Sequence, residues 1–273
     1  MFEPYLSRWE LVPDGEAIVT HISRLLPVLY RGEKAMLKIA VEAEEKRGGL
    51  LMLWWDGDGA ARVLEHEDDA LLLERATGTR SLEAMARDGR DDEASRIICA
   101  VAARLHALRG ALPSDLVPLE EWFRGLWPAA ETHGGILRLG AETARELLDT
   151  PQEVGVLHGD LHHGNVLDFG PGGWLAIDPK RLVGERGFDF VDILRNPDAD
   201  VALAPGRLAR QASIVAEAAQ LERTRLLQWT LAFTGLSAAW IIGDGDDPAL
   251  DLGVAALAAA ELSLLSNSRR ARP

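Results

Sequence analysis

The stretch LHGDLHHGNVL, from Leu157 to Leu167, followed by WLAIDPK, from Trp174 to Lys180, constrains this chain more than any other. Asp160 is followed five positions later by Asn165, and thirteen positions after that by Asp178. Moving a phosphoryl group requires little covalent help from protein. It requires one carboxylate to orient and deprotonate the acceptor hydroxyl, and oxygen ligands for Mg²⁺. Asp160 suits the first task, Asn165 and Asp178 the second. Val154 to Leu157 and Val166 to Phe169 are short apolar runs, Gly170-Pro171-Gly172-Gly173 is a turn, and Trp174 to Ile177 reads as a third strand. Asn165 therefore enters a hairpin and Asp178 leaves it, which sets two hard oxygen ligands side by side. The competing reading is that Asp and Asn simply punctuate turns.

With AIDPKRLVGERGFDF added, this region resembles the aminoglycoside phosphotransferases. The phrases HGDLHHGN and IDPKRLVGE are most similar to the streptomycin 6-phosphotransferase branch, the aminoglycoside/hydroxyurea resistance kinases. The likeness is strong from Leu157 to Pro197, fair at LLLERATG and LPSDLVPL, and weak in the first forty residues. It implies an α+β, two-lobed protein-kinase-like fold, with a small β-rich N-lobe over residues 1–76 and a larger helical C-lobe over 77–273. It also implies ATP and Mg²⁺ as cofactors, and transfer of the γ-phosphoryl group to a hydroxyl of an aminoglycoside, streptomycin at its 6-position first, as an antibiotic-resistance activity. The rivals are a kinase of the same fold acting on another small alcohol or on hydroxyurea, and a non-catalytic nucleotide-binding protein.

Composition narrows the partners. The net charge of −14 makes nucleic acid or an anionic membrane a poor partner and favours cationic small molecules, although acidity for solubility alone accounts for it equally well. The single cysteine, Cys99, excludes an intrachain disulfide and a Cys-based zinc site, and sits in an apolar helix pattern. The N-terminus has no basic-then-apolar leader pattern, and no uninterrupted apolar run approaches the roughly twenty residues that span a bilayer. A cytoplasmic monomer is the expectation.

From Ala17 to Ala40 the sequence reads as strands at Ala17–Thr20, Leu26–Tyr30 and Ala35–Ala40. Lys38 inside the last is costly unless a ligand or partner takes its charge. By resemblance it grips the nucleotide phosphates; alternation alone would point it at solvent. No G-x-G-x-x-G precedes it, and His21-Ile22-Ser23-Arg24 occupies the place of the phosphate-facing loop, with Ser23 its candidate. Val41 to Trp55 has helical spacing, and Glu45 matches the glutamate that pairs with the strand lysine. Glu42 and Glu44 stay open, as does a plain solvated face. Ala61–Glu65 and Ala70–Glu74 form a hairpin running into the place of a hinge, where Glu74 and Ala76 are the implied backbone contacts to adenine.

Beyond the hinge, helices are expected at Ser81–Arg87, with Ser81 as N-cap, and Asp91–Arg109, ended by Gly110. Two more are expected at Leu119–Leu126 and Ala141–Leu148, and three at Arg207–Gln220, Arg223–Ile242 and Pro248–Leu265. His106 reads as a satisfied core residue, and Trp122, Phe123 and Trp127 as packing aromatics. His158 braces the loop, whereas His162 and His163 face substrate or solvent; His163 is kept as a substrate candidate. A zinc cluster of His158, His162, His163 and Asp160 is the hydrolase alternative, but the glycines argue for a loop and no H-E-x-x-H helix exists. Gly184-Glu185-Arg186 and Asp189 tie the loop back by ion pairs. By resemblance Asp244, Asp246 and Asp247, with Trp240, line the substrate pocket; the bland alternative is a solvated turn after a core tryptophan.

Overall fold

The computed structural model describes residues 1–107 and 110–270; the side chains of 43–47 and 268–270 lie outside that description. A short helix, α1 (Glu3–Arg8), precedes β1 (Val12–Pro13), β2 (Ile18–Val19), β3 (Ser23–Tyr30) and β4 (Glu33–Ala40). Arg31 and Gly32 both have positive φ, as a tight hairpin between twisted strands requires, and Tyr30 pairs with Glu33. Helix α2 (Ala43–Trp55) ends at a left-handed Asp56, and the hairpin β5 (Val63–Glu67) and β6 (Ala70–Glu74) completes a six-stranded sheet ordered β1-β3-β4-β6-β5, with β2 on β3.

Alternation divides this sheet into two faces. Leu26, Val28, Ala35, Leu37, Ala70 and Leu72 pack beneath Tyr5, Leu6 and Trp9. The other face carries Leu71 and Leu73, which join Leu51, Met52 and Trp55 of α2 in a core that continues into the helical part through Leu82, Met85, Ile98 and Leu105. Lys38 pairs across the strands with Leu71, so it belongs to the α2 face.

The helical part opens with α3 (Leu82–Arg87), where the Ser81 hydroxyl caps the Ala84 amide, and α4 (Asp91–Leu105). The expected end of α4 shortens: His106 is its cap, and Arg109 lies outside the described residues. Then come β7 (Val117–Pro118), α5 (Leu119–Trp122), α6 (Leu126–His133), α7 (Gly135–Asp149), β8 (Val154–Leu157), β9 (Val166–Asp168), β10 (Trp174–Ala176) and β11 (Leu182–Glu185). After them follow α8 (Val191–Arg195), α9 (Ala199–Ala202), α10 (Arg207–Ala219), α11 (Arg223–Asp244) and α12 (Ala249–Arg270). Helix α6 was not expected, because Pro128 reads as a breaker, yet it falls in the first turn where its missing N–H costs nothing. Strand β11 also escaped the reading. It pairs antiparallel with β8 and parallel with β7, and so fixes the start of the loop that follows β8.

Phe123, Phe188, Trp229 and Phe233 form a buried aromatic cluster under α11, with ring centroids 5.2–6.0 Å apart. No uninterrupted apolar run of bilayer length occurs, as expected, although by length and mean hydropathy alone two helices reach the threshold for a membrane span. Helices α11 and α12 both pass that test. In α11 the apolar composition follows from burial, since nearly all of Leu226 to Ala239 is inside the core.

Candidate active site

The expected hairpin is present. Trp174 pairs with Asp168 and Ala176 with Val166, and the Ile177 amide donates to the Asn165 carbonyl at 2.9 Å. Asn165 and Asp178 thus stand at the two open ends of one ribbon. The Asn165 side-chain amide donates to the Asp160 carbonyl at 2.9 Å, which ties the ribbon to the loop carrying the candidate base. Lys38 Nζ lies 2.6 Å from Asp178 Oδ1 and is almost fully buried. Four residues from three separated segments therefore converge.

His158 organises the loop. Its ring is buried, Nε2 donates to the Ile177 carbonyl at 2.8 Å, and Nδ1 accepts the Asp160 amide at 3.2 Å. Burial pushes its pKa down to about 4, so it acts as a neutral brace. Trp55, at the end of α2, stacks on it with centroids 6.1 Å apart. Gly159 adopts a φ of +81°, and a Cβ there would stand 2.8 Å from the Leu182 side chain.

Behind the loop sits Asp189, whose role the sequence reading understated. Its carboxylate accepts the His158 amide at 2.8 Å and the Gly159 amide at 2.7 Å, and His106 Nε2 approaches it at 2.7 Å. Burial alone would raise its pKa, but the bond to His106 and those backbone donors outweigh burial and hold it below the usual value. His106 is the satisfied core residue it was expected to be, and it braces the loop through Asp189. Glu185 and Arg186 make the expected ion pairs, with Arg225 at 2.6 Å and Glu153 at 2.7 Å.

Asp160 keeps about a quarter of its side chain exposed. Its pKa is raised to about 6, first by burial and then by the negative charge of Asp192. Asp192 is bound at 2.5 Å by Arg195, which also reaches Asp251 at 3.1 Å. This buried Asp192–Arg195–Asp251 cluster was missed, since nothing in the local spacing links α8 to α12. His162 Nε2 lies 3.6 Å from Asp160 Oδ1 while its Nδ1 accepts the Gly164 amide.

Other candidates fare differently. His163 does not face a substrate. It is fully buried near Asp91, 4.0 Å away, and burial with the nearby Arg207 cation pushes it down to about 4. A glycine-turned loop sends neighbouring side chains to opposite sides, so His162 and His163 part company, and with His158 spent on backbone the three cannot form a zinc cluster. Asp244 and Asp246 are exposed at the α11–α12 turn, and Asp247 caps the Ala249 amide at 3.1 Å. Trp240, at the end of α11, meets Trp122 edge-on at 5.3 Å. These contacts are local; the carboxylate that acts on Asp160 is Asp192, held through Arg195 to Asp251.

On the nucleotide side, the Ser23 hydroxyl is buried without a hydrogen-bond partner among the described residues, at the β2–β3 turn, where a phosphate oxygen could accept from it. The Glu74 amide donates to the Arg62 carbonyl at 2.9 Å, which leaves its carbonyl as the backbone group an adenine would meet. Ala76 follows it, half-buried against the core. The side chains of Glu44 and Glu45 lie outside the described residues, and Glu42 is exposed just before α2. As a cation site, the ribbon ends fit Mg²⁺: turning the Asn165 amide nitrogen to Asp160 frees its oxygen, and Asp178 has a second oxygen beyond Lys38.

A strand lysine paired with a ribbon aspartate, and a braced Asp loop between a sheet lobe and a helical lobe, define a protein-kinase-like phosphotransferase. The chain belongs to the aminoglycoside/hydroxyurea antibiotic resistance kinase family, whose model matches residues 8–245. It is 52% identical over 262 residues to a streptomycin 3''-kinase of Klebsiella pneumoniae, covering 93% of this chain and 98% of that one. To a streptomycin 6-kinase of Streptomyces griseus it is 35% identical over 254 residues, covering 88% and 81%. Among solved structures, a thermostable mutant of aminoglycoside phosphotransferase APH(4)-Ia with ADP and hygromycin B superposes with a TM-score of 0.63 at 13% identity, over 97% of each chain.

Proposed function

We propose that this chain transfers the γ-phosphoryl group of ATP to a hydroxyl of streptomycin, in a Mg²⁺-dependent reaction that inactivates the antibiotic. The observation that carries the reading is the convergence of Asp160, Asn165, Asp178 and Lys38 through the bonds Asn165–Asp160 and Lys38–Asp178. A non-catalytic nucleotide binder would have no use for an Asp160 braced from behind and left open to an acceptor over about a quarter of its side chain. For the acceptor position we favour the 3''-hydroxyl over the 6-hydroxyl implied by the motif resemblance. The relative named for 3'' is 52% identical and the one named for 6 is 35% identical.

Asp160 accepts the hydroxyl proton, and a pKa near 6 keeps it ionised at neutral pH yet basic enough to take that proton as transfer proceeds. Lys38 and the Ser23 hydroxyl meet phosphate oxygens, while the Glu74 carbonyl and the Ala76 amide meet adenine. Asn165 and Asp178 would hold Mg²⁺, which when bound supplies neutralisation of the phosphate charge. Glu45, three residues before Gly48 on α2, is our candidate partner for Lys38. We place the division between nucleotide lobe and substrate lobe near residue 76, just past β6, and the enzyme in the cytoplasm with its ATP, as a monomer.

The test is direct. Purified protein with ATP, Mg²⁺ and streptomycin should release ADP and yield a monophosphate whose position NMR assigns. Asp160→Asn should lower kcat by about a hundred-fold or more, the range for a lost general base. Undiminished turnover in that variant would remove Asp160 from the mechanism, and turnover with hydroxyurea alone would replace the substrate.

A further inference from the structure

Helix α2 carries two adjacent glycines, Gly48 and Gly49, both buried in its interior. Glycine is the poorest helix former after proline, so a pair of them in mid-helix marks a close approach. The two approaches differ in kind. A Cβ on Gly48 would stand 2.3 Å from the Pro179 carbonyl oxygen, which is backbone. On Gly49 it would stand 2.6 Å from Leu71 Cδ1, the movable end of a side chain. Pro179 follows Asp178, and Asp178 itself holds a φ of +60°, a left-handed conformation uncommon for residues with a side chain though better tolerated by aspartate than by most. Lys38, Gly48, Gly49, Met52, Leu71, Leu73, Asp178 and Pro179 wall one narrow recess, so helix, strands and metal-side loop meet there directly; of the two glycines only Gly48 faces the Pro179 backbone.

We propose that Gly48 is a positioning residue. By leaving no side chain between α2 and the Pro179 carbonyl, it lets the helix serve as the backstop that holds Asp178 in its left-handed turn, 2.6 Å from Lys38 and beside Asn165. A methyl at 48 displaces either the helix or the Pro179 peptide. Moving that peptide swings the Asp178 carboxylate away from Lys38 and from the cation position. The inference deepens the proposed function, resting on it for the identity of the ligand, Mg²⁺-nucleotide.

The experiment compares Gly48→Ala with Gly49→Ala, measuring ADP affinity by calorimetry with and without Mg²⁺, kcat with streptomycin, and Tm. Gly48→Ala should weaken Mg·ADP binding ten-fold or more and lower kcat at least as much, with metal-free ADP affinity changed less than three-fold. Gly49→Ala should keep Mg·ADP affinity within two-fold, whichever way its Tm moves. A merely structural role would shift Tm in both variants and leave the dependence on metal alone. Mg·ADP affinity within two-fold of wild type in Gly48→Ala, or an equal loss in Gly49→Ala, overturns the proposal. If Gly48→Ala does not fold, hydrogen exchange of the wild type decides: Mg·ADP should slow peptides covering 48–53 and 178–182 together, and protection of the second without the first overturns it. A wild type that binds Mg·ADP but does not phosphorylate streptomycin refutes the substrate reading alone, and one that binds no Mg·ADP refutes both.

Discussion

Asp160 is pulled two ways, and its titration records the balance. Burial and the Asp192 charge favour the protonated form, while His162 and Lys180 favour the ionised one, and the result is a pKa of about 6. Because the base must be ionised to accept a proton, activity should fall as pH drops through about 6, giving kcat/KM an acid limb there. In Asp192→Asn that limb should move to lower pH, since a neighbouring negative charge is gone and Arg195 is no longer neutralised at 2.5 Å. The same variant should lose stability, because Arg195 stays buried with one partner fewer. A pH–rate profile of both proteins, with Tm recorded at each pH, checks this; an unmoved limb would mean that Asp192 does not set it. At this scale the sequence was informative where spacing is local. Asp160, Asn165 and Asp178 could be paired with roles because a hairpin lies between two of them. Asp192, Arg195 and Asp251 could not, because α8 and α12 meet only through packing.

The ribbon β9–β10 is the element on which the site depends, and it is held at both ends. Its open end carries Asn165 and Asp178. Its turn end is clamped to the segment joining the lobes: the Gly78 amide donates to the Asp168 carbonyl at 2.8 Å, and Arg80 binds the Asp168 carboxylate with Nε at 2.7 Å and a second nitrogen at 2.9 Å. Arg80 also lies over the Trp174 ring, 4.9 Å from its centroid. Its guanidinium holds the Asp168 carboxyl far below the usual carboxylate range. A carboxylate depressed in the folded state adds stability above the unfolded pKa of about 4, and that stability is lost as pH falls toward the folded pKa. The Tm gap between wild type and Arg80→Ala should therefore be constant from pH 7 to 5 and close below about 4, followed by thermal unfolding across that range. Arg80 is more than half exposed, so the gap should be modest. The hairpin was legible in the sequence from its glycine-rich turn; the clamp was not, because Arg80 and Asp168 are 88 residues apart.

Across the whole molecule the two lobes, each with a core of its own, are joined by a third core that they share. Leu51, Met52, Trp55, Leu71 and Leu73 share one cluster with residues of α3, α4, β9, β10 and α10. The Ala61 amide donates to the Ala176 carbonyl, and the Ala176 amide to Gly59, both at 2.9 Å, so backbone pairing crosses between lobes as well. The molecule carries a net charge of −14. For a cationic substrate that field should raise kcat/KM at low ionic strength, and added salt should reduce it several-fold between 20 and 500 mM as the screening length falls below about 10 Å. Steady-state kinetics with streptomycin as the varied substrate measures this, and a flat response would show that the acidity serves solubility.

Read as a string, this chain disclosed the short spacing of Asp160, Asn165 and Asp178, the sheet-then-helix order of its elements and the family it resembles. Those depend on residue type and short spacing, which hydrogen-bonding periodicity and turn chemistry translate directly into local structure. Only the tertiary structure decided that His163 is sealed inside while His162 stands beside Asp160, that Asp189 holds the His158–Gly159 backbone from behind, that the Asp192 charge acts on Asp160, and that Gly48 brings α2 against Pro179. Those facts arise where segments distant in the chain exclude water from one another, and burial of that kind belongs to the packing of the whole and to no stretch of it.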